Sequence, residues 1–96
     1  MGKNRDRLSI VAAILEVANS GAGKTRIMFG ANLTFKLLEK YLDIVVGAGF
    51  VRVLGSRFVL TEYGHEFLRE YRHFMERYVV AQHSLEALSC ERENWI

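Results

Sequence analysis

Between Lys24 and Gly64 the chain reads KTRIMFGANLTFKLLEKYLDIVVGAGFVRVLGSRFVLTEYG, with no linker anywhere in the run. Apolar spacing predicts a short helix, a turn, a second helix, a two-strand hairpin and the start of another helix. This order excludes most architectures of similar size. Two short strands cannot make a parallel sheet, so the core must come mainly from helices with one small hairpin attached.

The flanking segments complete the pattern. Helix 1 is expected at about 7–19, with Leu8, Val11, Ile14, Leu15 and Ala18 on one stripe, and Asn19 to Gly23 stop it. Helix 2 is expected at 24–30 with Ile27 and Met28 inward, followed by the turn Gly30-Ala31-Asn32. Helix 3 is expected at about 34–47 with Thr34 as its N-cap. Its apolar set is Phe35, Leu38, Leu42 and Val45, reinforced by Leu37, Tyr41 and Ile44, and its polar stripe is Lys36, Lys40 and Asp43. Gly47 or Gly49 ends it in a left-handed conformation. Strands follow at 50–54 and 57–61, and Gly55-Ser56 between them suits a two-residue II′ turn.

Helix 4 is expected from about Glu62 to about Leu88. Phe67, Tyr71, Phe74, Tyr78, Ala81, Leu85 and Leu88 are spaced alternately by four and three, a heptad seam held for three heptads. Such a helix is roughly 40 Å long, more than a domain this small needs for its own core. The part before Phe74 can pack on the domain. The part beyond it needs a partner chain, unless the helix folds back or breaks near His83-Ser84, so Phe74, Tyr78, Ala81, Leu85 and Leu88 are assigned to a coiled-coil homodimer interface. Cys90 onward reads as frayed, with Trp95 and Ile96 free to dock on a partner.

This element order is that of a winged helix-turn-helix, whose second paired helix can enter a DNA major groove while the hairpin, the wing, touches the adjacent backbone. The expected fold class is therefore mainly α with a small β-hairpin. The winged module occupies 1–64, a dimerisation helix continuous with it 65–90, and a tail 91–96.

Composition agrees with a single small domain. Of 96 residues, 50% are hydrophobic, enough for a core without disulfides or metal. The lone Cys90 cannot form an intramolecular bridge, which fits a reducing cytoplasm. Basic residues precede an apolar stretch near the N-terminus, but Glu16 interrupts that stretch and its apolar residues follow helical spacing, against a signal peptide. No run approaches the ~20 apolar residues of a membrane span. The Asn32-Leu33-Thr34 sequon is then coincidental. Charge is uneven. Residues 1–61 hold nine bases against four acids, a balance of +5, and residues 62–96 hold four bases against seven acids, a balance of −3. The basic part suits a polyanion.

Several motifs compete for a role. Ala18-Asn19-Ser20-Gly21-Ala22-Gly23-Lys24-Thr25 fits a relaxed phosphate-binding loop. That chemistry needs a strand before the loop and an acidic strand end for magnesium. A helix precedes this loop, so Lys24 and Thr25 are read as the start of helix 2, where Lys24 can hold a DNA phosphate. His65, His73 and His83 lack the spacing that puts two imidazoles on neighbouring turns, and are read as solvated rather than as metal ligands. No nucleophile stands with a base at motif spacing, so no enzyme activity, cofactor or small-molecule substrate is expected. The DNA-contact candidates are Lys24, Arg26, Asn32, Thr34, Lys36, Lys40, Arg52 and Arg57, with Lys3, Arg5 and Arg7 as a short basic arm. Lys36 and Lys40 share a face one turn apart, Asn32 and Thr34 stand at the N-terminus of helix 3, and the two arginines load the wing. No Arg or Gln lies on the exposed face of helix 3, which favours low sequence specificity. The rival class is a winged-helix protein-interaction module without DNA binding.

The run KTRIMFGANLTFKLLEKYL, the hairpin, and then FVLTEYGHEFLREYRHF resemble the small archaeal winged-helix DNA-binding proteins of about ten kilodaltons, the Sulfolobus 10a type. The resemblance spans about Leu8 to about Leu85. It implies a long C-terminal helix paired in an antiparallel coiled-coil dimer, and a double-stranded DNA partner in a chromatin-like, nucleoid-associated or regulatory role. The acidic, Trp-ended tail departs from the pattern.

Overall fold

The computed structural model describes the backbone of residues 6–95 and the side chains of residues 6–85. Its elements run α1 (Arg7–Ala18), α2 (Lys24–Gly30), α3 (Phe35–Gly47), β1 (Val51–Leu54), β2 (Arg57–Leu60) and α4 (Glu62–Trp95). This is the winged-helix order, with boundaries within a residue or two of expectation except for α4, which continues beyond Leu88 to Trp95.

Local chemistry sets the helix ends. The carboxylate of Asp6 accepts from the Ser9 amide at 2.8 Å and opens α1. The Thr34 hydroxyl accepts from the Leu37 amide at 3.2 Å and opens α3, as expected. The Thr61 hydroxyl does the same for α4, accepting from the Gly64 amide at 3.0 Å while donating to the Gly49 carbonyl at 2.6 Å. Helices α2 and α3 close alike. Leu33 N–H bonds Met28 O at 2.9 Å and Asn32 N–H bonds Phe29 O at 3.2 Å; Phe50 N–H bonds Val45 O and Gly49 N–H bonds Val46 O, both at 3.0 Å. Both are Schellman closures, which need a left-handed residue after the cap. Asn32 (φ 58°) and Gly49 (φ 83°) supply it. Of the two glycines offered by the sequence, Gly49 therefore terminates α3.

The core gathers Ile10, Val11, Ile14, Leu15 and Ala18 of α1, Ile27 of α2, Leu38, Tyr41, Leu42 and Val45 of α3, Val51, Phe58 and Leu60 of the hairpin, and Leu68 of α4. Three residues expected inside are not. Leu8 is half-exposed, because it sits on the first turn of α1 beside Phe67, Tyr71 and Phe74 of α4 rather than over the core. Phe35 is 63% exposed. It lies about 70° around the helix from the middle of the buried set, on a turn that precedes the first core contact at Leu38. Leu37 is exposed for the same reason, on the opposite flank. Gly30 lets α2 approach α1, since a Cβ there would stand 2.7 Å from Val17 Cγ2.

The hairpin is antiparallel with Val51 opposite Leu60 and Leu54 opposite Arg57. Gly55 takes φ 62° and Ser56 a negative φ, which fits the expected II′ turn. Ala22 bridges to the other edge of β2 by exchanging two hydrogen bonds with Phe58, at 3.0 and 2.7 Å. The α1–α2 loop is thus sewn to the wing. On α4, Leu68 is buried and Phe67 and Tyr71 partly so, and Arg72 grips Glu16 of α1 through a guanidinium–carboxylate fork at 2.9–3.2 Å. Beyond that fork the helix projects, and the molecule measures 62 × 27 × 19 Å.

Candidate nucleic-acid interface

Helix α3 buries Leu38, Tyr41, Leu42 and Val45. At 100° per residue the opposite side carries Lys36, Lys40 and Asp43, all exposed. Lys36 and Lys40 therefore stand one turn apart on the solvent face, as the sequence predicts. The Lys40 ammonium lies 5.6 Å from the Tyr41 ring centroid, so its stem leans over a core residue while its charge stays in water.

At the wing, alternation along the strands puts Arg52, Leu54, Arg57 and Val59 on one face, away from Val51, Phe58 and Leu60. Arg57 reaches across to the Gly21 carbonyl with a long Nη2–O distance of 3.4 Å, which orients the guanidinium without consuming its other donors. The wing turn lies against the start of α2, where a Cβ on Gly23 would meet the Ser56 carbonyl at 3.5 Å. The next residue, Lys24, ion-pairs with Glu39 of α3 at 2.9 Å. Wing, α2 and α3 are consequently contiguous, and Arg26 is exposed on the adjoining helix.

The other candidates have structural duties. Thr34 spends its hydroxyl oxygen on the α3 cap, and Asn32 is the left-handed residue closing α2. Lys24 is half-exposed and its charge is balanced by Glu39. The two side chains are fifteen positions apart, and no local pattern in the sequence announces the pair. Sequence reasoning also missed Phe29, 73% exposed on the last turn of α2, and placed Phe35 in the core. The phosphate-loop lookalike is committed to the fold. Helix α1 precedes it, Gly21 N–H bonds Ala18 O at 3.0 Å, and Ala22 N–H bonds Phe58 O. Those amides are not available to cradle a nucleotide. His65, His73 and His83 are exposed along α4, and among the described residues no group of three or more His, Cys, Asp or Glu is assembled.

Along distal α4, Phe74, Tyr78 and Leu85 are 55%, 50% and 65% exposed, Ala81 is exposed, and the Phe74 and Tyr78 rings lie 6.2 Å apart. Leu88 lies outside the described side chains, as do Lys3 and Arg5 of the basic arm.

A family model described as winged helix-turn-helix matches residues 4–78. The uncharacterised protein MJ0287 of Methanocaldococcus jannaschii is 36% identical over 61 residues, which is 62% of this chain and 63% of that protein. The chain thus spans less than two thirds of that relative's length. Among solved structures, the crystal structure of Sso10a-2, a DNA-binding protein from Sulfolobus solfataricus, superposes with a TM-score of 0.79 at 25% identity, over 88% of this chain and 94% of that one.

Proposed function

The chain belongs to the winged helix-turn-helix family, and on that premise we propose that it is a dimeric double-stranded DNA-binding protein, acting in the cytoplasm as a nucleoid-associated protein or a transcriptional regulator. The observation that carries this reading is the contiguous basic surface. Lys36 and Lys40 face solvent from α3, Arg52 and Arg57 share the outer face of the wing, and the wing turn abuts α2. In this reading α3 lies in the major groove, the wing arginines hold the backbone, and Arg26 and Lys24 flank them. The DNA-binding relative Sso10a-2 supports it.

The distal seam of α4 supplies the second copy. Phe74, Tyr78, Ala81 and Leu85 repeat at heptad spacing and stand in water in the single chain. A two-fold mate covers them, and also the apolar cleft of about 300 Å³ between Leu8, Phe67, Tyr71 and Phe74 at the base of the seam.

A salt titration tests the reading. The protein should bind duplex DNA at low salt, with log affinity falling linearly against log salt. Alanine at Lys36, Lys40, Arg52 or Arg57 should each weaken binding to all sequences alike and reduce the slope by about one unit. A folded quadruple variant with unchanged affinity and slope refutes the proposal, and assigns the winged helix to protein contacts instead.

A further inference from the structure

Phe35 and Phe29 flank the α2–α3 turn with 63% and 73% of their surface in water, the most exposed aromatic residues among the described side chains. The Thr34 cap and the Schellman closure fix the backbone of this turn by hydrogen bonds, so the two rings stand on hydrogen-bonded helix ends rather than on loose chain. Phe35 is the first residue of α3, directly before Lys36 and five before Lys40. The N-terminal residues of a helix laid in the major groove are those that meet base edges. A large apolar side chain there has one chemical match in that groove, the C5-methyl of thymine.

We propose that Phe35 is a base-reading residue that packs on thymine methyl groups, giving the protein a modest preference for T-containing sites. This rests on the DNA-binding reading above and adds a recognition element to its phosphate contacts. On a helix face without Arg or Gln, the discrimination this adds comes from apolar contact with a methyl group rather than from bidentate hydrogen bonds. Lys36 and Lys40 set the depth of α3 against the phosphates, and Phe35 carries the sequence information.

Replacing thymine by deoxyuridine removes the methyl and leaves base pairing intact, so the test uses two duplexes of one sequence, one with thymine at every T position and one with deoxyuridine in its place. The unmutated protein should bind the T duplex more tightly, by about fourfold for one fully covered methyl. Phe35→Ala should bind both duplexes equally, with its salt slope unchanged because no phosphate contact is lost. Phe35→Leu should keep part of the preference. Phe29→Ala, also on an exposed aromatic but outside α3, should keep all of it. Equal binding of the T and dU duplexes by the unmutated protein, with normal salt dependence, overturns the assignment of Phe35 while leaving DNA binding intact. A preference that survives in Phe35→Ala also overturns it, and assigns the discrimination to duplex shape. Absence of any duplex binding at low salt overturns both readings. Because Phe35 is exposed, the alanine variant should melt as the parent does.

Discussion

Thr61 is the joint between wing and stalk, and its replacement by alanine has a calculable cost. Its hydroxyl accepts from the Gly64 amide at 3.0 Å and donates to the Gly49 carbonyl at 2.6 Å. The first bond caps α4, and loss of a threonine cap costs about 1 kcal/mol. The second ties the α3–β1 turn to α4, and a hydrogen bond of this kind contributes about 1 kcal/mol net. Thr61→Ala should therefore destabilise the fold by about 2 kcal/mol, which for a domain near 100 residues lowers Tm by roughly 8–16 °C. Thr61→Ser keeps both bonds and should cost well under half of that. Thr61→Val keeps the shape and loses both, so it should behave like alanine. Urea and thermal unfolding followed by far-ultraviolet circular dichroism measure this, at one fixed protein concentration because a dimer's stability depends on it. A serine variant as unstable as the alanine variant, or an alanine variant within about 0.5 kcal/mol of the parent, refutes the two-bond account.

Gly64→Ala should be more damaging still, by about 3 kcal/mol, because a Cβ there collides with the Phe50 carbonyl oxygen and comes within 2.6 Å of Leu60 Cδ1; a parent-like melting curve would contradict the packing. Glu39→Gln should tighten DNA binding and steepen its salt dependence, because it releases Lys24 from its 2.9 Å ion pair and removes a negative charge from α3; the same titrations read it, and an unchanged slope would show that Lys24 does not approach phosphate. Tyr78→Glu with Leu85→Glu should convert a dimer to a monomer in sedimentation equilibrium, since both residues stand exposed on the seam; an unmutated chain that is monomeric at tens of micromolar removes the coiled coil from the proposal.

The fold was readable where period and punctuation agree. The Lys24–Gly30 helix, the Thr34 cap and the Gly55 turn each depend on residues within four positions of one another, and local patterns carry such information. Errors arose where burial is decided by distant partners. Phe35 has the correct residue type for a core position and a spacing of three from Leu38, yet the core begins one turn later. Leu8 faces α4, about sixty positions away. In the candidate site, the exposure of Lys36 and Lys40 follows from helical phase alone. The Lys24–Glu39 pair and the Ala22–Phe58 bridge join segments far apart in sequence, and only the folded chain brings them together. The Asp6 and Thr61 caps were local signals passed over, each an N-cap residue type immediately before an apolar-periodic segment.

The division of charge gains meaning from the shape. The bases of residues 1–61 belong to the winged module and its basic arm, whereas on α4 as far as Leu85 the four acids Glu62, Glu66, Glu70 and Glu76 are interleaved with Arg69, Arg72 and Arg77, and beyond the Arg72–Glu16 fork the helix projects as a rod. Oxygen and nitrogen charges on such a rod are screened within about 8–10 Å at physiological ionic strength. On the proposed reading, most of the stalk therefore subtracts little from the affinity of the basic face once the complex has formed. During approach at low salt the longer-range field still acts, drawing the basic module toward the duplex. The described stalk thus offers no excess of bases for side-on binding along α4, whereas α3 and the wing together carry Lys36, Lys40, Arg52 and Arg57 against Glu39 and Asp43. The same separation explains why a chain with a net charge of only +2 is a credible ligand for a polyanion: the local charge of the docking face, and not the total, sets the interaction.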